Sequence, residues 1–387
     1  MKIKTLVREL LGHAVNKCRP IKENTVYFDS FHGHYSDNPK YISEKLHALA
    51  PDVKIVWSCS SLGKETAPDY AKKVEFRSKE YYEYVNTAKV VVDNHTGLRE
   101  FGFRKRRSIL LEKFADRKGQ LCISTWHGTP LKKIGCDLLP TGQYCMPTSA
   151  DYMVAGCRFT ADAIASAFCM DHRDIRLYGT PRNDILFRQD VDTESLKEKL
   201  KLPLGKKIVL FAPTFRDNAE DGVRQLELLD VPRLLEKLDA VFGGEHVFVT
   251  RMHHYIFEKM GDSPLIKELK KHTVDGNVGD DMAEYLACTD ILITDYSSSF
   301  FDFALTYKPC FLFVPDQEEY LRDRGVYLDF DALPFPMAET MDDLLSKIEG
   351  FKPEIYRAAV KDYLESIGNV ESGQASQRIV EDILAFL

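Results

Sequence analysis

Residues able to move a proton or hold a phosphate gather at one kind of position in this sequence, just after short apolar runs. In Ser124-Thr-Trp-His-Gly-Thr-Pro-Leu-Lys-Lys-Ile-Gly135, His127 stands beside a glycine that lets a substrate approach the backbone. An imidazole titrates near neutral pH and can take the proton of an attacking hydroxyl, an effect of roughly a hundred- to ten-thousand-fold in rate. The alternative role for His127 is a helix cap or a loop hydrogen bond. Pro130 suits a first helical turn, so the segment is expected to end a strand and open a helix. Asp295-Tyr-Ser-Ser-Ser-Phe-Phe-Asp302 follows the apolar run ILIT. Hydroxyls and unpaired backbone N–H groups at such a helix start can cradle a phosphate, or can simply cap their own helix. Arg251 and His253 follow HVFVT, where a guanidinium and an imidazole would neutralise charge growing on a departing phosphate. Ion pairing with a carboxylate is the competing role for Arg251. Arg216 in APTFRD, and Arg182 with Asn183 in GTPRND, are either further anion donors or interdomain salt bridges. Asp275, Asp280 and Asp281 could ligate a divalent metal, but a polar loop and helix cap is the preferred role, and no metal site is assigned.

These positions have a common origin if the apolar runs are strands. Open parallel sheets bind ligands beyond the carboxyl ends of their strands. Continuous apolar runs at 25–28, 53–57, 89–93, 121–125, 151–155 and 175–179 alternate with helical stretches, and the rhythm resumes at 207–213, 246–251, 290–295 and 310–316. Such runs imply parallel pairing with both faces covered. The expected architecture is two facing Rossmann-like domains with a cleft between them. The expected division is a basic amphipathic helix at 1–20, one domain at 21–188, an interdomain helix and linker at 189–206, a second domain at 207–362 and a carboxyl-terminal helix at 363–387.

Composition narrows the partners. A chain of 387 residues has a prior of about two to three domains. With 52 basic against 59 acidic residues the net charge is -7, which disfavours nucleic acid as a partner. No apolar run reaches the roughly 18 residues that span a bilayer, and the start lacks a signal-peptide core, so a cytoplasmic location is expected. The nine cysteines are odd in number with no C-x-x-C pair and sit mostly in apolar runs, which favours reduced, packed thiols. Leu6, Leu10 and Leu11 on the amphipathic start, and Arg104, Lys105, Arg106 and Arg107, are candidate contacts to a membrane surface or an anionic acceptor.

Taken together, STWHGTPLKKIG, GTPRND, FAPTFRD, the Arg-x-His of TRMHH and ITDYSSSFFDFALTYKP followed by VPDQEEYLRDRG resemble the CDP-glycerol glycerophosphotransferase family, which builds teichoic acids and related poly(alditol phosphate) capsules. The resemblance runs in order from about residue 24 to 330. It implies a GT-B-type fold, with an amino-terminal acceptor domain and a carboxyl-terminal domain for a CDP-alditol donor. The implied reaction is attack of a hydroxyl of a lipid-linked polymer or primer on the alditol-bearing phosphate, with release of CMP; no cofactor is expected beyond the CDP-alditol substrate, and a divalent metal is left open. His127 matches the family's general base. Arg251 and His253 match its donor-pyrophosphate pair, with His253 a second catalytic candidate. Asp295, Ser297 and Ser298 match its donor-binding turn, and Thr214 and Arg216 add donor contacts. His254 stands where proline is expected, which leaves open which imidazole faces the donor. The competing readings are a UDP-sugar transferase or epimerase on the same scaffold, and a non-catalytic member of a capsule-assembly complex.

Overall fold

The computed structural model describes residues 15–16, 18–60, 67–95, 118–138, 148–214, 226–251, 271–279, 281–317 and 325–387. The chain forms two compact units, one of Met1–Thr129, Lys133–Asp184 and Asn369–Leu387, the other of Pro130–Lys132 and Ile185–Gly368.

The first unit contains β1 (Lys22–Phe28), α1 (Asp37–Leu49), β2 (Lys54–Cys59), β3 (Lys72–Glu75), α2 (Lys79–Thr87), β4 (Ala88–Asp93), β5 (Leu121–Ser124), β6 (Tyr152–Val154), α3 (Arg158–Phe168) and β7 (Ile175–Arg176). Its sheet runs β3-β2-β1-β4-β5-β6-β7 and every pairing is parallel. The central strands are buried on both faces because their side chains are apolar on both. Val26, Phe28, Trp57, Val90 and Val92 share one core, while Tyr27, Val56 and Val91 point into another.

The second unit contains α4 (Thr193–Lys199), β8 (Lys207–Phe211), α5 (Val231–Phe242), β9 (His246–Thr250), β10 (Thr273–Asp275), α6 (Met282–Cys288), β11 (Ile291–Thr294), α7 (Ser299–Ala304), β12 (Cys310–Phe313), β13 (Met337–Ala338), α8 (Met341–Glu349) and α9 (Pro353–Ser366). Its parallel sheet runs β10-β9-β8-β11-β12-β13. Two all-parallel α/β units are what the GT-B-type expectation requires. The strands not anticipated are β3, β10 and β13, all at sheet edges. An edge strand is short and buries little, so KKVE, TVD and MA carry no apolar run.

Several boundaries differ from expectation. The crossover falls after Asp184, and the segment 189–206 is part of the second unit rather than a linker. Asp192 caps α4, Lys199 bonds Glu284, and Leu200 and Leu202 enter that unit's core. The residues after 363 are not one helix. α9 ends at Ser366 in the second unit, and α10 (Ala375–Phe386) returns to the first, where Ile379, Val380 and Ile383 pack with Val26 and Ile42. The Asp184 carboxylate accepts from the amides of Ala375 and Ser376 and so caps this helix. The stretch after His127 does not open an α-helix at Pro130. Trp126 and Gly128 have positive φ, Leu131 is buried in the second unit's core, Lys132 makes an antiparallel bridge to Val326, and a 3-10 turn follows at Gly135–Leu138. Among the described residues seven cysteines are free thiols, but Cys136, on that exposed turn and not in an apolar strand, is disulfide-bonded.

Candidate active site

In the first unit, the carboxyl ends of β1, β4 and β5 converge on His127. Its Nδ1 lies 2.8 Å from the carbonyl of Asn94, just beyond β4. A carbonyl only accepts, so Nδ1 carries the hydrogen and Nε2 keeps its lone pair. Burial holds the His127 imidazole below its ordinary pKa. The Asn94 carbonyl and Asp37 pull it back up, and Arg182 pushes it down again. The ring is therefore neutral at neutral pH, the state a base must start from. Trp126 stacks on it with centroids 3.9 Å apart, and Phe168 braces Trp126 at 4.9 Å.

The turn that carries His127 is clamped from two other loops. Arg182 Nη1 donates to the His127 carbonyl at 2.8 Å and to Asp37 Oδ2 at 2.6 Å, in an ion pair whose side chains are only 10% and 9% exposed. Asn38 donates to the Trp126 carbonyl at 3.0 Å and accepts from the Arg182 amide at 3.0 Å. Gly128 has φ 117°, and a Cβ there would lie 2.3 Å from Arg182 Nη2, so the glycine is required by both backbone and space. Arg182, expected as an anion donor or interdomain salt bridge, is instead an internal clamp of this unit. Asn183 likewise donates to Glu371 at 3.3 Å. The Asn94 side chain accepts from the Phe31 amide and donates to Ser30, which ties the β1 loop to the β4 loop. Asp37, Asn38, Asn94, His32 and His95 belong to no motif recognised in the sequence. Their only signal there is the polar richness of DSFHGHYSDNP and DNHTG.

In the second unit, Asp295 directly follows β11 and is 1% exposed. Its Oδ1 accepts from both the amide and the hydroxyl of Thr214 at 2.7 Å. The carboxylate thus acts as an anchor that fixes Thr214 at the end of β8. Tyr296 is buried and donates to Asp316 at 3.0 Å. Ser297 and Ser298 are half-buried at the start of α7. The Ser297 and Ser299 hydroxyls are 3.0 Å apart, and Ser298 is the N-cap residue but makes no side-chain cap bond. Capping its own helix is therefore not what the Ser298 hydroxyl does.

Arg251 follows β9, and its guanidinium donates to the carbonyls of Gly276 at 2.7 Å and Gly279 at 3.3 Å while lying 4.5 Å over the Tyr285 ring. Tyr285 in turn donates to the Val278 carbonyl at 2.9 Å. These contacts orient the guanidinium at the carboxyl end of β9. Asp275 accepts from Asn277, and Asp281 caps α6, the roles preferred for them over metal ligation. His253, His254, Arg216, Asp280, the run from Arg104 to Arg107 and most of the amphipathic start lie outside the described residues. Among the described residues no helix is long and apolar enough to cross a membrane.

Comparison with known proteins adds independent findings. The family described as CDP-glycerol:poly(glycerophosphate) glycerophosphotransferase matches residues 12–385. A teichoic acid poly(glycerol phosphate) polymerase of Staphylococcus epidermidis is 32% identical over 382 residues, which cover 93% of this chain and 50% of that protein. The chain thus spans about half the length of that relative. A teichoic acid glycerol-phosphate transferase of Staphylococcus aureus is 28% identical over 415 residues, covering 98% of this chain and 99% of its own. The structure of the wall teichoic acid polymerase TagF soaked with CDPG is similar at a TM-score of 0.79 and 29% identity, over 98% of this chain and 93% of that one.

Proposed function

This chain belongs to the CDP-glycerol:poly(glycerophosphate) glycerophosphotransferase family, and from that membership we propose that it transfers glycerol phosphate, or a related alditol phosphate, from a CDP-activated donor to a hydroxyl of a teichoic acid or capsule polymer. His127 Nε2 takes the proton of the acceptor hydroxyl. The freed oxygen attacks the alditol-bearing phosphorus, the bond from that phosphorus to the bridging oxygen breaks, and CMP leaves with the electron pair. Ser297 and Ser298 offer hydroxyl donors to the diphosphate, while the one hydroxyl hydrogen of Thr214 goes to Asp295 and ties the loop after β8 beside them. Arg251, with His253 and Arg216, supplies positive charge where the leaving phosphate gains negative charge. Asp295 acts through Thr214 as a positioning residue. No step calls on a cofactor or a divalent metal.

The observation that carries this reading is the hydrogen bond between His127 Nδ1 and the Asn94 carbonyl, which leaves a neutral ring with a free Nε2. The test is nucleotide release from a panel of CDP-alditols and UDP-sugars with a lipid-like acceptor. CMP release from CDP-glycerol or CDP-ribitol supports the transferase, and UDP release from a UDP-sugar supports the sugar-transferase alternative instead. Within the active pair, His127→Ala lowers turnover and leaves donor affinity nearly intact, whereas Arg251→Ala and Ser298→Ala weaken donor binding. Equal loss of donor affinity in all three would contradict this division of labour. A lipid-linked acceptor places the enzyme at the cytoplasmic face of the membrane, where the basic residues of the start and of Arg104 to Arg107 meet anionic headgroups.

A further inference from the structure

A row of basic groups crosses the first unit's rim, and the chemistry above uses only the group at its end. The Arg77 guanidinium, after β3, lies 5.1 Å from the Phe76 ring, and that ring lies 5.2 Å from His32. His32, after β1, stacks on His95, after β4, with centroids 4.7 Å apart at 16°. His95 lies 6.0 Å from His127, and Phe31 packs against both at 5.7 and 5.6 Å. Arg77, His32 and Phe31 are exposed.

The backbone presents this row in strained conformations. Of the eight non-glycine residues with positive φ among the described residues, five lie on this rim: Phe31, His32, Asp37, Arg77 and Trp126. Such strain clusters at ligand clamps and active sites. The Phe31–His32 turn is locked by Gly33, where a Cβ would lie 2.3 Å from the Ser60 amide nitrogen.

Groups that would carry like charge are crowded along the row. Exposed at one side but packed against Phe76 and His95 on its ring faces, His32 is held below its ordinary pKa by that partial burial, then by Arg77 and His34. His95 is pushed down to about 4 by burial, then by His32 and His127, with Asp37 opposing. His95 Nε2 is buried and has no hydrogen-bond partner. Of the nearby carboxylates, Asp37 is paired with Arg182, and burial pushes the Asp29 carboxyl up to about 6, so Asp29 loses its charge only in mildly acidic solution.

We propose that Arg77, His32 and His95 form a subsite for a phosphate ester of the acceptor, adjoining the hydroxyl that His127 deprotonates. The acceptor is then recognised as an anionic alditol-phosphate end and not as a neutral alcohol. The inference rests on the transferase reading, and it adds the residues that select the acceptor. An anion seated on this row raises the imidazole pKa values, so its affinity rises as the pH falls and the imidazoles take up protons.

The test uses the full chain with CDP-glycerol and compares sn-glycerol 3-phosphate, which carries the charge, with glycerol, which lacks it. One charge-assisted hydrogen bond corresponds to about tenfold or more in kcat/KM. Wild type is expected to prefer the phosphate ester by at least that factor, and Arg77→Gln and His32→Gln, both on exposed side chains, to reduce the preference about tenfold each. Equal use of the two acceptors by wild type, or an unchanged preference in both variants, would overturn the subsite and leave the transferase reading standing. CMP release with neither acceptor would instead count against the transferase reading. The imidazole resonances of His32 and His95 then decide the subsite alone: they shift on addition of sn-glycerol 3-phosphate if it exists, and stay unmoved, or respond equally to inorganic phosphate and the ester, if it does not.

Discussion

Replacing Asp37 with asparagine tests the clamp beneath the catalytic turn. Asp37→Asn removes a charge and little volume, and asparagine tolerates the left-handed φ of 59° at this position, so no new backbone strain enters. What remains is the Arg182 guanidinium, about nine-tenths buried and without its 2.6 Å counterion. Breaking a buried pair from one side costs about 3–5 kcal/mol. The amide oxygen of asparagine can still accept one hydrogen bond, so the loss should fall near the lower end, about 3 kcal/mol, read as a lower urea midpoint at constant slope. Catalysis changes in a way that simple destabilisation does not produce. Asp37 favours the protonated form of His127 and Arg182 disfavours it. With Asp37 neutral, Arg182 acts unopposed, the proton leaves His127 more easily, and the acid limb of the kcat profile moves to lower pH. Arg182→Gln should move that limb the other way. Retained stability within about 1 kcal/mol, or limbs that move in the same direction in both variants, would refute the assignment of this pair to the clamp.

Three further perturbations separate local chemistry from scaffold. Gly128→Ala forces a Cβ to within 2.3 Å of Arg182 Nη2 at φ 117°, so turnover should fall while donor KM stays near wild type; a fully active variant would show that the turn is not held as described. Asp29 is buried at the end of β1, and its carboxyl is pushed up to about 6 from 3.8. Its folded pKa is thus raised, and the penalty of the buried charge is present above about pH 6 and relieved as the pH falls toward 4. Asp29→Asn should therefore stabilise the protein at pH 7.5 by up to about 3 kcal/mol, with the advantage shrinking between about pH 6 and 4, and a uniform offset at all pH values would contradict that linkage. Removing residues 1–19 should weaken sedimentation with vesicles of anionic lipid, and unchanged sedimentation would free the amphipathic start from any membrane role.

The β/α rhythm was legible because a parallel strand buried on both faces needs a continuous apolar run, which VVV in AKVVVD and ILI in ILIT supply. The edge strands were not, since a strand with one neighbour and an exposed face can be as charged as KKVE. The same limit explains the course of α10. Ile379, Ile383 and Leu384 suggest a docking stripe but not which of two apolar sheets receives it; Ile379 and Ile383 are packed there with Val380, whereas Leu384 is exposed.

For the active site, residue type and place in a motif were enough to nominate His127, Arg251 and the serines after β11, because strand ends in parallel sheets are where ligands bind. Their working partners could not be nominated. Asp37 and Arg182 are 145 residues apart, and Thr214 and Asp295 are 81 apart. A carboxylate's role depends on what lies within 3 Å of it, and that is set by which loops the folded sheet brings side by side. The amino-acid order alone determined the strands, the parallel layers and the chemistry available at their ends. Only the folded structure decided that Arg182 holds a turn instead of an anion, that Asp295 serves Thr214, and that His32 and His95 stack beside His127. Periodicity is a local property of the chain, whereas proton affinity and hydrogen bonding depend on neighbours distant in sequence.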